Sequence, residues 1–118
     1  MRIELDFPPA DLFPNRAKGR HWASLHATKT QYRENSAWLA KHQIRTWKAP
    51  EGDIRLTLTF QMPDRRMRDA DNCLAAAKAA LDGLADALQV NDQRFQPIVV
   101  YRELGTKPGK LVVELEVV

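Results

Sequence analysis

Asp53-Ile54-Arg55-Leu56-Thr57-Leu58-Thr59-Phe60-Gln61-Met62 alternates polar and apolar residues without a slip, the period of a strand with one buried face. Pro50-Glu51-Gly52 turns the chain into it, and Pro63-Asp64 ends it. Downstream, residues 71 to about 88 are rich in Ala and Leu and hold no proline. Leu74, Ala77, Leu81, Leu84 and Leu88 there share a stripe roughly 80° wide at about 100° per residue, which predicts a helix. Pro97 precedes Ile98-Val99-Val100-Tyr101, and Pro108-Gly109 separates that run from residues 111–118, so two strands are expected as a hairpin or as neighbours. Upstream, Arg2-Ile3-Glu4-Leu5-Asp6-Phe7 alternates as a strand and Pro8-Pro9 ends it. A long connection marked by Pro14 and Gly19 reaches about Leu25, and a helix capped by Thr28 or Thr30 is expected to run to about Trp47. The order β-α-β-α-β-β predicts an α+β fold, a single mixed sheet of about four strands with two main helices packed against it.

At 118 residues with 44% hydrophobic content, the chain is one domain's worth, 1–118, large enough to bury a core without staples. The lone Cys73 excludes an internal disulfide. No apolar run approaches the roughly 20 residues that span a bilayer, and Met1 leads straight into Arg-Ile-Glu-Leu-Asp, so no membrane partner and a cytoplasmic setting are expected. Charge is unevenly spread: residues 1–68 carry 13 basic and 7 acidic side chains, residues 69–118 carry 5 basic and 8 acidic. A basic half suits a polyanion, and a separate acidic group suits a cation held at the same surface.

The acidic group centres on Arg68-Asp69-Ala70-Asp71-Asn72 and, beyond the helix, Asn91-Asp92. On a helical wheel Asp71, Lys78 and Asp82 fall within roughly 40° of one another, opposite the apolar stripe. Asp69 precedes the helix closely enough to approach Asp71, and Asp92 returns after it. Clustered carboxylates repel unless a cation joins them, and oxygen-only ligands suit hard ions such as Mg²⁺. A calcium loop is excluded, because counting from Asp69 the sixth residue is Leu74 and the twelfth Ala80, where Gly and Glu are required. From the residues alone, a metal site and a set of helix-capping, solvated acids both stay open.

The ordered set Asp69-Ala70-Asp71-Asn72, Lys78, Leu81-Asp82-Gly83-Leu84 and Val90-Asn91-Asp92 resembles the signature of RusA-type Holliday junction resolvases. Upstream, Pro14-Asn15, His21 and Lys29 are similar to the N-terminal half of that pattern. The resemblance implies a homodimeric, Mg²⁺-dependent endodeoxyribonuclease, with Mn²⁺ as a substitute. Such an enzyme nicks opposing strands of a four-way junction symmetrically, in DNA recombination and repair. It also implies Asp69, Asp71 and Asp92 as metal-binding catalytic acids and Lys78 as a catalytic cation that stabilises charge on the phosphate or orients the water. Two departures stand out. Some members have Lys four residues after the second Asp, where this chain has Ala75, and the distal acidic pair is here Asn91-Asp92.

Arg65, Arg66 and Arg68 beside the acids, with Arg16, Lys18, Arg20 and Lys29, offer a track for DNA phosphates. Asn15 and His21 join that track through the resemblance. Two other functions use the same residues: a metal-dependent phosphohydrolase acting on small phosphoesters, and a non-catalytic nucleic-acid-binding module. The first predicts turnover of a small phosphoester, the second DNA binding indifferent to EDTA.

Overall fold

A computed structural model describes every residue except Lys18 and Arg20. The strands are β1 (Arg2–Asp6), β2 (Ile54–Met62), β3 (Phe95–Leu104) and β4 (Lys110–Val117). The helices are α1 (Pro14–Ala17), α2 (Trp22–Ile44), α3 (Ala70–Ala76) and α4 (Lys78–Leu88), with short 3₁₀ turns at Ala10–Leu12 and Asp92–Arg94. The expected α+β class, with one mixed four-stranded sheet, is what the chain adopts.

β2 anchors the sheet as its alternation predicts: Ile54, Leu56, Leu58, Phe60 and Met62 are each 0% exposed. Arg55, Thr57, Thr59 and Gln61 point to the other face and are at least partly open. The strand order is β1-β4-β2-β3, with β2 and β3 parallel and β4 antiparallel to both β1 and β2. The last two strands, expected as a hairpin or as neighbours, are neither, because β2 lies between them. Their connection crosses the end of β2 so closely that a Cβ on Gly105 would meet the Met62 carbonyl, and one on Gly109 the Gln61 carbonyl, each at 2.8 Å. Turn residues that read as a hairpin are serving a crossing instead.

β3 also runs through Pro97, which the sequence reading places before the strand. The strand lies at the sheet edge, and the register slips between Ile54 and Leu56, so the missing N–H of Pro97 interrupts no ladder on a second side. The other edge, β1, is covered by α2. Gln43 donates to the Glu4 carbonyl and accepts the Glu4 N–H, both at 2.7 Å, while the Tyr32 hydroxyl donates to the Asp6 carbonyl at 2.8 Å. Burial and the Asp6 charge push the Tyr32 phenol far above its ordinary pKa, so it stays a donor.

Two helix boundaries depart from expectation. α2 starts at Trp22, capped by the His21 ring accepting the Ala23 N–H at 3.3 Å, and ends at Ile44. Thr28 and Thr30, the expected caps, both lie inside the helix, where the Thr28 hydroxyl donates to the Ser24 carbonyl. The second long helix is broken at Ala77, whose N–H is shared between the Cys73 and Leu74 carbonyls. No Gly or Pro marks that break. Beyond it α4 packs on α2 through Gly83, where any Cβ would be driven into the Arg33 carbonyl. No helix among the described residues is long and apolar enough to cross a membrane.

Candidate active site

Asp69 occupies the N-cap position of α3, yet its side chain makes no capping hydrogen bond. Among the described residues, Asp71 accepts only the N–H of its neighbour Asn72, at 2.9 Å. Neither acid is therefore absorbed by the helix in the way an ordinary cap would be. Asp92 opens the 3₁₀ turn after α4, held by Asn91, whose side chain accepts the Gln93 N–H at 2.9 Å. The residue that departs from the expected acidic pair is thus a cap for the segment carrying Asp92.

Asp71, Lys78, Asp82 and Asp92 line one hollow of about 380 Å³, floored by Leu74, Leu81, Phe95 and Ile98. Lys78 stands at the start of α4, beyond the break, and still reaches the hollow that Asp71 lines. Ala75, where some relatives have Lys, lines the same hollow. Asp82 completes the set. The helical wheel placed it on this face, but the sequence reading left it as a solvated residue.

Asp69 borders a second hollow, of about 460 Å³, together with Asn15, Arg16, Arg66, Arg68 and Asn72. Lys29 lies in a third, beside Arg33, Lys78 and Asp82, so Lys78 and Asp82 belong to both this third hollow and the acidic one. Arg65 is exposed and lines none of these hollows, and His21 is used as the cap of α2. Lys18 and Arg20 lie outside the described residues. Among the described residues no three His, Cys, Asp or Glu side chains stand close enough to hold one ion together. Asp71 and Asp92 share a hollow, and Asp69 flanks the start of α3 on the neighbouring one.

The charges divide sharply by partner. Arg68, with a side chain only 12% exposed, binds both oxygens of Asp64 at 3.0 and 3.1 Å and donates to the Arg66 carbonyl at 2.9 Å. Its guanidinium also lies 5.3 Å from the Phe7 ring centre and 5.7 Å from that of Phe13. Arg68 is thus an internal anchor for the loop leading to Asp69, not a free phosphate contact. Arg68, aided by the Arg66 N–H, holds the Asp64 carboxyl below its usual range, and Arg33 does the same for Asp86. Asp69, Asp71, Asp82 and Asp92 have no basic side chain at ion-pair distance among the described residues. Arg102 of β3, which the sequence reading missed, donates to the Arg68 carbonyl at 3.0 Å and steadies the residue before Asp69. An isolated Arg in an edge strand carries no local signal of that role.

The family described as endodeoxyribonuclease RusA matches residues 12–116. An uncharacterized protein of Xylella fastidiosa (strain Temecula1 / ATCC 700964) is 30% identical over 117 residues, covering 96% of this chain and 74% of the relative. With that match spanning both the acids of α3 and the distal Asp92, the chain belongs to the RusA endodeoxyribonuclease family.

Proposed function

We propose that this chain resolves four-way DNA junctions by metal-assisted phosphodiester hydrolysis, as a cytoplasmic homodimer serving DNA recombination and repair. The observation that carries the reading is the meeting of Asp71, Lys78 and Asp92, from three separate elements, in one hollow where the acids have no basic side chain at ion-pair distance among the described residues, in a chain of this nuclease family. The two carboxylates offer oxygen donors only, which fits a hard divalent ion. Asp71 and Asp92 would hold Mg²⁺, or Mn²⁺ in its place, and Asp69, on the neighbouring hollow, is the third acid that the family resemblance implies. Such an ion, when bound, supplies Lewis acidity that lowers the pKa of water and neutralises charge on the phosphate.

The side chains do the remaining work. Lys78 places its ammonium beside the acids and stabilises charge that grows on the phosphate oxygens as water adds to phosphorus and the 3′ oxygen leaves. The products are a 5′ phosphate and a 3′ hydroxyl. Asn15, Arg16 and Arg66, on the hollow that Asp69 borders, hold neighbouring phosphates, and Arg68 positions that loop without touching DNA. Each chain carries one acidic site, so paired nicks on a two-fold substrate call for two copies.

The test is cleavage of an end-labelled four-way junction beside a linear duplex with the same arms, in Mg²⁺ and in EDTA, with wild type and Asp71→Asn. Paired, metal-dependent nicks in the junction alone are expected, reduced by at least about 10²-fold in the variant. A folded, junction-binding protein that never cuts would leave a binding module. Turnover of small phosphoesters without junction cleavage would point to a phosphohydrolase.

A further inference from the structure

At the far end of the α3–α4 pair lies a fourth hollow, of about 610 Å³, between the end of α2 and the chain following α4. Its rim carries Lys41, Arg45, Lys48 and Arg94, its floor includes Trp47 and Val90, and none of its lining residues is acidic. Arg94 is held by the Gly52 carbonyl at 2.8 Å and by the Pro50 carbonyl, which fixes its charge in the wall. Lys41, Arg45 and Lys48 are exposed, and among the described residues none has an acid at ion-pair distance. Asp86, whose charge reaches Lys41, is already bound through both oxygens by Arg33.

Arg45 adds an independent observation. It adopts φ 56°, ψ −112°, the first central position of a type II′ turn, where glycine is the favoured residue. An arginine there is kept at the expense of stability that glycine would restore, which directs attention to what its side chain does. The hollow is also joined to the acidic site. Gln89, Val90 and Arg94 line one, and Asp92 and Phe95 line the other, so the segment 89–95 is a wall common to both.

We infer that this hollow receives the sugar-phosphate backbone of a DNA arm lying beyond the acidic site. The acids would then be flanked by basic surfaces at both ends of the α3–α4 pair: Arg16 and Arg66 at the start, and Lys41, Arg45 and Lys48 at the finish. Branched DNA continues past the cleaved phosphate in more than one direction, and each continuation brings phosphates that need counter-charge. This placement rests on the nuclease reading above.

The test is the affinity of the whole chain for a four-way junction and a linear duplex of the same arms, in EDTA, between 50 and 200 mM salt. The variant is Lys41→Gln/Arg45→Gly/Lys48→Gln. A charge-matched control, Arg2→Gln/Arg55→Gln/Lys110→Gln, removes the same charge from β1, β2 and β4. We expect the first variant to bind both DNAs about tenfold or more weakly, with a salt slope shallower by roughly two to three. Its melting temperature should not fall, because Arg45→Gly removes the unfavourable backbone conformation. The control should stay within about twofold of wild type.

Wild-type affinity and slope in the first variant would overturn the inference, and so would an equal loss in the control. A wild type that binds but never cuts in Mg²⁺ removes the nuclease reading, while the same slopes still decide the hollow. A wild type that cuts, beside a variant that binds normally, keeps the nuclease and removes the hollow.

Discussion

The two flanks of α3 treat charge in opposite ways. On the side facing Phe7 and Phe13, Arg68 and Asp64 satisfy each other, and the guanidinium is closed in by two rings and a carbonyl. On the side facing Phe95 and Ile98, Asp71, Lys78, Asp82 and Asp92 line an open hollow, and the acids have no basic partner among the described residues. Paired charges over aromatic rings build the scaffold, whereas unpaired charges over an apolar floor keep their field for something that arrives from outside. The contrast explains why neighbouring Arg and Asp residues, alike in sequence, are not alike in role.

The strongest way to break the contrast is at Lys78. Lys78→Ala should lower junction cleavage by roughly 10²-fold with little change in melting, since the side chain is exposed and makes no ion pair among the described residues. Adding Ala75→Lys should recover part of that loss, because residue 75 lines the same hollow one turn earlier. Failure of the double variant to recover anything, while folded, would mean that the cation must sit beyond the Ala77 break.

Arg68→Gln attacks the other flank. It should lower the melting temperature by about 5 °C or more, since it strands Asp64 and opens the Phe7–Phe13 stack, and should slow cleavage by only about tenfold through Asp69. A large loss of activity with unchanged melting would instead make Arg68 a direct DNA contact.

The smallest effect is on pH dependence. Asp64 and Asp86 have folded pKa values below the ordinary 3.8, so their stabilisation is present above that value and is lost as pH falls through the lowered ones. Thermal melts from pH 5 downward should therefore fall less steeply in Asp64→Asn and Asp86→Asn than in wild type. Parallel curves would show that neither pair stabilises the fold.

Much of this arrangement was legible in the chain. The alternation of β2 survives because a buried strand must place every second side chain in the core, and the spacing of Asp71, Lys78 and Asp82 survives because Ala77, the single residue at the break, keeps a helical conformation and leaves all three on one hollow. What stayed hidden depends on distant partners. Nothing local tells Arg68 that Phe7 and Phe13 will close over it, or tells Pro108-Gly109 that β2 lies beneath the crossing. The early start of α2 was missed because threonine offers a capping hydroxyl that the helix turned back on Ser24. The gathering of carboxylates was legible as order along the chain, whereas their division between two hollows required the fold.

The position of β4 between β1 and β2 sets an order of assembly. β1 and β2 share no ladder, and β4 supplies the hydrogen bonds that join them. The fourth strand to be synthesised is thus the one that closes the sheet, by inserting between two strands made long before it. Until it does, β1 has an unsatisfied inner edge, and so does β2, the most deeply buried strand of the protein. A chain stalled before Lys110 would hold the candidate acids of α3 and α4 but no continuous sheet to carry them, so the hollow they line is completed only when the last strand arrives.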